Sequence, residues 1–83
     1  MKHWEYRVMK RKYKEDMKPF YAIYEVYYSS HGEITAWTED CMQPTGDSRK
    51  ELEQDFGYMK EAFHKRTLDY NALMKKQGLK DDQ

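Results

Sequence analysis

The sequence predicts an α+β fold: a three-stranded antiparallel sheet in β-β-β-α order, with one amphipathic helix on one face and a short C-terminal helix. Apolar and polar residues alternate through much of the first half of the chain, which is typical of half-buried strands. An apolar stripe at spacings of four, three and four residues follows, and that spacing is typical of a helix. The 83 residues form one domain, 1–83, because so short a chain cannot divide its core in two.

Three strands are predicted, over 3–13, 19–30 and 33–40. The middle strand has one continuous apolar face, made by Phe20, Ala22, Tyr24, Val26 and Tyr28. Its opposite face is not polar either, because Tyr21, Ile23 and Tyr27 occupy most of it. Two apolar faces are unusual for a strand in a sheet that one helix covers.

The hairpin between the second and third strands allows two registers. A three-residue loop, 30–32, ends on a glycine that can take the left-handed conformation, and it places Val26 opposite Ala36. A two-residue loop would place Val26 opposite Trp37 instead. We favour the three-residue loop, because it keeps both Ile34 and Ala36 on the continuous apolar face of the second strand.

A helix is predicted over 48–65, and its start has a clear signal. Ser48 followed by Glu51 forms a capping box, in which the serine hydroxyl accepts from the amide of Glu51 and the glutamate reaches back to the amide of Ser48. Asp47 adds a negative charge at the positive end of the helix dipole. The apolar stripe of this helix is Leu52, Phe56, Met59 and Phe63.

The end of the chain predicts a second, short helix over 68–77, closed near a glycine, and then a frayed tail at 78–83. Because the longer helix covers one face of the sheet, we expect the other face to be open. Contiguous exposed apolar surface on a small domain usually marks a contact site. The alternative is that the C-terminal segment folds back over this face and makes it ordinary core.

The open face is therefore the predicted partner interface, and it would bind a protein partner or a second copy of the chain as a homodimer. Its residues are Tyr21, Ile23, Tyr27 and Trp37, bordered by Met9, Arg7 and Arg11. An alternative function is binding of RNA or single-stranded nucleic acid, in which the aromatic rings stack on bases. The phosphate contacts would then come from Arg7, Lys10, Arg11 and Lys12.

Charge argues against the alternative. Lys and Arg number 15, as do Asp and Glu, so the formal net charge is zero, and bulk charge does not favour nucleic acid or an anionic membrane. Lys10 and Lys12 also alternate with Arg7 and Arg11 along the strand, so they point to the opposite face. The longest apolar run, FYAIYEVYY, is too short and too polar to span a bilayer.

No arrangement of residues indicates an enzyme, a cofactor or a metal site. The histidines and the single cysteine, Cys41, have no metal-ligand spacing, and a nucleophile at Cys41 would lack an orienting group. Glu39, Asp40 and Asp47 are carboxylates at a strand exit and a helix start, where capping is their usual role. A single cysteine excludes an internal disulfide and favours a reducing compartment, so we expect a cytoplasmic protein.

The order of two long strands, a third strand and QPTGDSRKELEQDFGYMKEAF resembles the HicB-type antitoxin domain, a partial ribonuclease-H-like fold. The resemblance covers residues 4–65 and rests on Gly46, Asp47, Ser48, Glu51, Leu52 and Ala62. AWTEDCMQPTGD is also similar to a group of small bacterial proteins that read Trp-Thr-Glu-Asp-Pro and then Gly-Asp; here Cys41 replaces the proline. The resemblance implies a non-enzymatic regulatory protein, of antitoxin or inhibitor type.

Overall fold

The computed structural model describes residues 3–77, and these form an α+β domain, as the sequence predicts. The elements in chain order are β1 (His3–Arg11), β2 (Phe20–Tyr28), β3 (Ile34–Trp37), α1 (Arg49–Lys60), a 3-10 segment (Glu61–His64), β4 (Leu68–Asp69) and α2 (Tyr70–Lys76). The prediction of three antiparallel strands is incomplete, because the described residues form a mixed sheet of four strands in the order β3-β2-β1-β4. The frayed tail expected at 78–83 lies outside the described residues.

β1 and β2 form the centre of the sheet as an antiparallel pair, with His3 opposite Tyr28 and Arg11 opposite Phe20. Residues that are paired across two strands lie on the same side of the sheet. We call the side that carries Met9, Tyr24 and Val26 the core face, and the side that carries Val8 and Ile23 the helix face. Each element outside the central pair covers one of these two faces or extends the sheet at one of its edges.

The fourth strand is a two-residue segment that runs parallel to β1, with Leu68 opposite Met9 and Asp69 opposite Lys10. The sequence predicts helix over this segment, because two residues are too few to display the alternation of a strand. Asp69 also begins α2, since its carboxylate accepts a hydrogen bond from the amide of Ala72 at 3.0 Å. Pairing with β1 thus fixes the start of α2 beside the core face.

α2 covers the core face, and this corrects the expectation that the longer helix covers the continuous apolar face of β2. The buried cluster comprises Met9, Tyr24, Val26, Tyr28, Leu68 and Tyr70, with Leu73 and Met74 of α2 packed against it. The ring centroids of Tyr24 and Tyr70 are 5.4 Å apart. The C-terminal segment does fold back onto the sheet, but over the face opposite to the one considered in the alternative.

The hairpin combines features of both predicted registers. Its loop has three residues: Gly32 has a φ of 82°, and the amide of Ser29 donates to the carbonyl of Glu33 at 2.8 Å. The pairing then shifts at Thr35, which has no opposite residue on β2, so that Val26 lies opposite Trp37 and not opposite Ala36. A bulge of this kind reverses the faces of all later residues. Trp37 therefore lies on the core face.

α1 spans Arg49–Lys60 and continues as the 3-10 segment, in place of one helix over 48–65. The hydroxyl of Ser48 accepts from the amide of Glu51 at 3.1 Å, while the Glu51 carboxylate accepts from the amide of Asp47 at 3.0 Å, one residue before the position expected. Gly46 passes close to this first turn, and a Cβ there would collide with the backbone of Leu52. The cap and the glycine together fix how α1 enters the helix face.

Replacing Ser48 with alanine removes the acceptor for the Glu51 amide, and we expect the free energy of unfolding to fall by about 1 kcal/mol. Chemical denaturation monitored by circular dichroism measures the change. Asp40→Ala is the control, because Asp40 is exposed and lies outside the cap. An unfolding midpoint unchanged by Ser48→Ala would contradict the structural role of the cap.

Candidate functional site

α1 covers the helix face through a narrow line of contacts. Met59 and Ala62 are the buried residues of α1 and of the 3-10 segment that follows it. On the sheet, Val8 is buried on the same face. Surface on both flanks of α1 is left uncovered, because this line of contacts is narrower than the pair of central strands.

An apolar groove of about 340 Å³ lies between α1 and β2 on one flank. Three aromatic side chains beside it are mostly exposed: Tyr21 at 62%, Phe56 at 55% and Phe63 at 69%. Ile23, Met42 and Pro44 line the rest, and Lys60 is its charged lining residue within the described part of the chain. A concave surface with so few polar groups is suited to apolar contact, and its lining residues do not form a set of catalytic groups.

The exposed apolar area at the apolar groove is large enough to contribute substantially to the free energy of association. Taking about 200 Å² per aromatic residue, the exposed parts of its three rings amount to roughly 350 Å². Burial of that area stabilises a complex by roughly 9 kcal/mol at 25 cal/mol per Å². This gain is of the same order as the cost of association, about 4–15 kcal/mol.

Three residues of the predicted interface lie on the helix face. Tyr21 and Ile23 line the apolar groove. Tyr27 is farther along β2 and is exposed. Its hydroxyl donates to the carboxylate of Glu25 at 2.5 Å, and this hydrogen bond raises the pKa of Tyr27 above its ordinary value. These three side chains share one face, as the alternation of β2 predicts.

The other four residues of the predicted interface lie on the opposite side of the sheet, so the expected grouping is wrong. Met9 is buried at the centre of the core, and Trp37 packs against Tyr70 with ring centroids 6.1 Å apart. Arg7 and Arg11 are only 9% and 6% exposed. The error has two causes: the bulge moves Trp37, and β1 pairs with β2 so that its odd-numbered residues join the core face.

Both buried arginines are held by internal contacts. Arg7 donates to the hydroxyl of Tyr28 and to the carbonyl of Arg66, each at 2.8 Å. Arg11 donates to the carbonyl of Glu39 at 2.8 Å, and its guanidinium stacks 3.8 Å from the ring centroid of Tyr70. These contacts join the sheet to the segments that cover the core face, so the two side chains contribute to the fold.

Glu5 places a negative charge beside Arg7 at the edge of the core. Its carboxylate accepts from Tyr28 at 2.7 Å and forms ion pairs with Arg7 at 3.4 Å and Lys65 at 3.0 Å. Burial alone would raise the pKa of Glu5, but the hydrogen bonds from Tyr28 and Lys65, together with the charge of Arg7, hold it below the ordinary value. The ionised carboxylate therefore balances the charge of Arg7.

Phe56 and Phe63 lie at the surface, although both belong to the apolar stripe of the predicted helix, which indicates core positions. The sequence does contain a signal for this exposure. A sheet with two apolar faces and a helix stripe with two phenylalanines have more apolar surface than a small domain can bury.

The carboxylates and the cysteine that were considered for chemistry do not converge on a site. Cys41 is exposed, and Asp47 is part of the helix cap. Across residues 3–77, His, Cys, Asp and Glu side chains form no group of three or more that could hold a metal ion. Among these same residues, no helix combines the length and apolar character needed to cross a membrane.

Comparison of the chain with protein-family models, curated proteins and solved structures finds no match.

A hydrogen bond between α1 and the sheet provides a test of how α1 is held. The carboxylate of Asp55 accepts from the hydroxyl of Tyr6 and from the amide of Thr45, both at 2.9 Å. Burial and this hydrogen bond raise the pKa of Tyr6 to about 12 from 10.0. Because the fold favours the neutral phenol, its contribution to stability is present below pH 10 and is lost as the pH rises towards 12.

We therefore expect Asp55→Ala to lower the free energy of unfolding by about 1–3 kcal/mol, since two donors lose their acceptor. NMR titration of the ring signals of Tyr6, which separates it from the other seven tyrosines, should also show a pKa of Tyr6 closer to the ordinary value. Lys50→Ala, an exposed change on the same helix, is the control and should alter stability by less than about 0.5 kcal/mol. Equal stability of the Asp55 variant and the control would contradict this account.

Proposed function

We propose that the chain is a non-enzymatic protein-interaction domain that binds through the apolar groove. The exposure of Tyr21, Phe56 and Phe63 beside one groove is the observation that carries the proposal. The largest contiguous apolar patch on a soluble monomer is typically about 300–600 Å² and often marks a binding site.

The partner that we propose is a second copy of the chain. The surface around the apolar groove is itself apolar, so the exposed rings of one copy can fill the groove of the other in a two-fold arrangement. The formal net charge is zero, so two copies approach without mutual repulsion.

The charges on α1 support the same partner. Lys60 lines the apolar groove, and Glu53, seven residues earlier, lies on the same side of the helix, since seven residues make about two turns. When two copies of α1 pack in opposite directions, Glu53 of one copy approaches Lys60 of the other, and the two-fold axis creates the pair twice. Such pairs set the orientation more than the affinity.

Sedimentation at tens of micromolar tests the proposal. We expect a dimer with a dissociation constant in the micromolar range, which corresponds to about 8 kcal/mol. Burial of the surface around the apolar groove on both copies contributes roughly 18 kcal/mol, and association costs about 4–15 kcal/mol. Phe56→Glu should yield a monomer with an unchanged helical signal, because Phe56 is already mostly exposed.

Tyr58→Glu is the matched control, because Tyr58 is a similarly exposed ring on the same helix and does not line the apolar groove. It should leave the dimer intact. A wild-type monomer over the whole concentration range would overturn the proposal, and so would a dimer that Phe56→Glu leaves unaffected.

A regulatory role of the antitoxin or inhibitor type is the finer form of this proposal. It rests on the resemblance of residues 4–65 to the HicB-type domain and on the helix cap at Ser48, and it would place the protein in the cytoplasm. The parallel strand β4 and the helix α2 are additions to the pattern that carries this resemblance. α2 covers the core face, on the side of the sheet away from the apolar groove, and β4 extends the edge of the sheet beside β1.

RNA binding, the alternative function, has two lysines at the aromatic surface in its favour. Lys10, expected on the opposite face, is exposed on the helix face beside Tyr21, and Lys60 lines the apolar groove. Arg7 and Arg11 are buried and engaged inside the domain, and the amino group of Lys12 donates to the carbonyl of Glu15 at 3.2 Å. Two lysines provide few phosphate contacts, so we expect mixed-sequence single-stranded RNA to bind with a dissociation constant weaker than about 100 micromolar. Fluorescence anisotropy measures it. Micromolar binding that Tyr27→Ala abolishes would contradict this expectation.

A further inference from the structure

A second concave surface lies on the helix face, beside α1. It has a volume of about 460 Å³, and we call it the acidic cleft. Its lining includes three aromatic rings and three carboxylates: Trp4, Tyr6, Tyr58, Glu25, Glu51 and Asp55. Except for Met42, its lining residues are different from those of the apolar groove. The two surfaces are therefore chemically distinct.

The aromatic walls of the acidic cleft are accessible. Trp4 is 49% exposed and Tyr58 is 67% exposed. Trp4 packs edge-to-face against Tyr6, with ring centroids 5.1 Å apart, so a neighbouring ring holds the indole in place. The face of an aromatic ring carries negative electrostatic potential, which attracts cations.

The ionisable groups of the acidic cleft have the same sign. Three carboxylates line it, and no Lys, Arg or His is found among its lining residues in the described part of the chain. One oxygen of Glu25 accepts from Tyr27, and one oxygen of Glu51 accepts from Asp47. In both side chains the second carboxylate oxygen accepts no hydrogen bond from residues 3–77, so it can accept one from a ligand.

The nearby N-terminus of α1 does not give the acidic cleft a preference for anions. Free amides at a helix start attract anions. Here the amide of Glu51 donates to Ser48, the amide of Asp47 donates to Glu51, and the amide of Thr45 donates to Asp55. Arg49 and Lys50, whose amides also belong to the first turn, do not line the acidic cleft, so the carboxylates and the ring faces set its chemistry.

We propose that the acidic cleft binds an arginine side chain of a partner protein. A guanidinium is planar, so it stacks on the exposed rings of Trp4 and Tyr58 while its N–H groups donate to Glu25 and Glu51. A lysine ammonium is a strongly hydrated point charge and lacks the planar surface for stacking. The proposal does not depend on the apolar groove, which contributes no carboxylate to this surface.

NMR titration of the full chain with the capped tripeptide acetyl-Gly-Arg-Gly-amide tests the proposal. The control ligand is the same peptide with citrulline, which has the shape of arginine without its charge. We expect the arginine peptide to shift the indole N–H signal of Trp4 in a saturable way. Trp37 lies on the core face and serves as an internal reference that should not shift.

Glu25→Gln should weaken binding of the arginine peptide about twofold to fivefold, the range for loss of an exposed ion pair. Glu53→Gln, outside the acidic cleft, is the charge-matched control and should leave binding unchanged. Tyr58→Ala provides a second variant that removes stacking surface and retains every carboxylate; it should also weaken binding.

Three results would overturn the proposal. The first is the absence of any shift of Trp4 up to the solubility limit of the arginine peptide. The second is an equal response to the citrulline peptide, which would mean that charge plays no part. The third is tighter binding of tetramethylammonium than of the arginine peptide, which would assign the acidic cleft to a small ammonium ligand.

Discussion

β2 is apolar on both faces, and the arrangement of the whole domain follows from the need to cover them. The core face is covered by α2, whose Tyr70 packs against Tyr24 and Trp37. The helix face is covered by α1, whose twelve residues extend only about 18 Å. Two adjacent nine-residue strands, each about 30 Å long, present more surface than such a helix can cover. The uncovered remainder comprises the apolar groove and the acidic cleft, one on each flank of α1.

The buried arginines explain why this remainder has so little positive charge. β1 places Arg7 and Arg11 on the core face, where aromatic rings and backbone carbonyls receive their guanidinium groups. Removing one partner of such a buried charge is strongly destabilising, so these side chains are committed to the fold. The even-numbered residues of β1 then supply Trp4, Tyr6 and Val8 to the helix face, together with the exposed Lys10. The result is a surface of rings, aliphatic side chains and carboxylates, to which Lys10 and Lys60 add positive charge.

The sequence was sufficient for elements whose signal is periodic or chemical. The α+β class, the three-residue hairpin loop and the start of α1 at Ser48 all follow from alternation, glycine conformation and capping. The sequence was insufficient where one residue changes the pairing of a strand. Thr35 forms a bulge that moves Trp37 to the core face, and nothing in the local pattern marks that position. β4 was missed because a two-residue strand forms only through its pairing with β1, a contact between distant parts of the chain.

The two proposed surfaces lie on opposite flanks of α1, and their chemistries complement each other. Apolar burial in the groove provides affinity with little selectivity, whereas charge in the acidic cleft provides selectivity with little affinity. A dimer formed through the groove would leave both acidic clefts free, one on each copy, because Glu25 and Tyr58 do not line the groove. A partner with two arginines at a matching distance would then bind both clefts at once, so that two weak contacts give a strong one. Loss of the dimer would weaken the binding of that partner without changing either cleft.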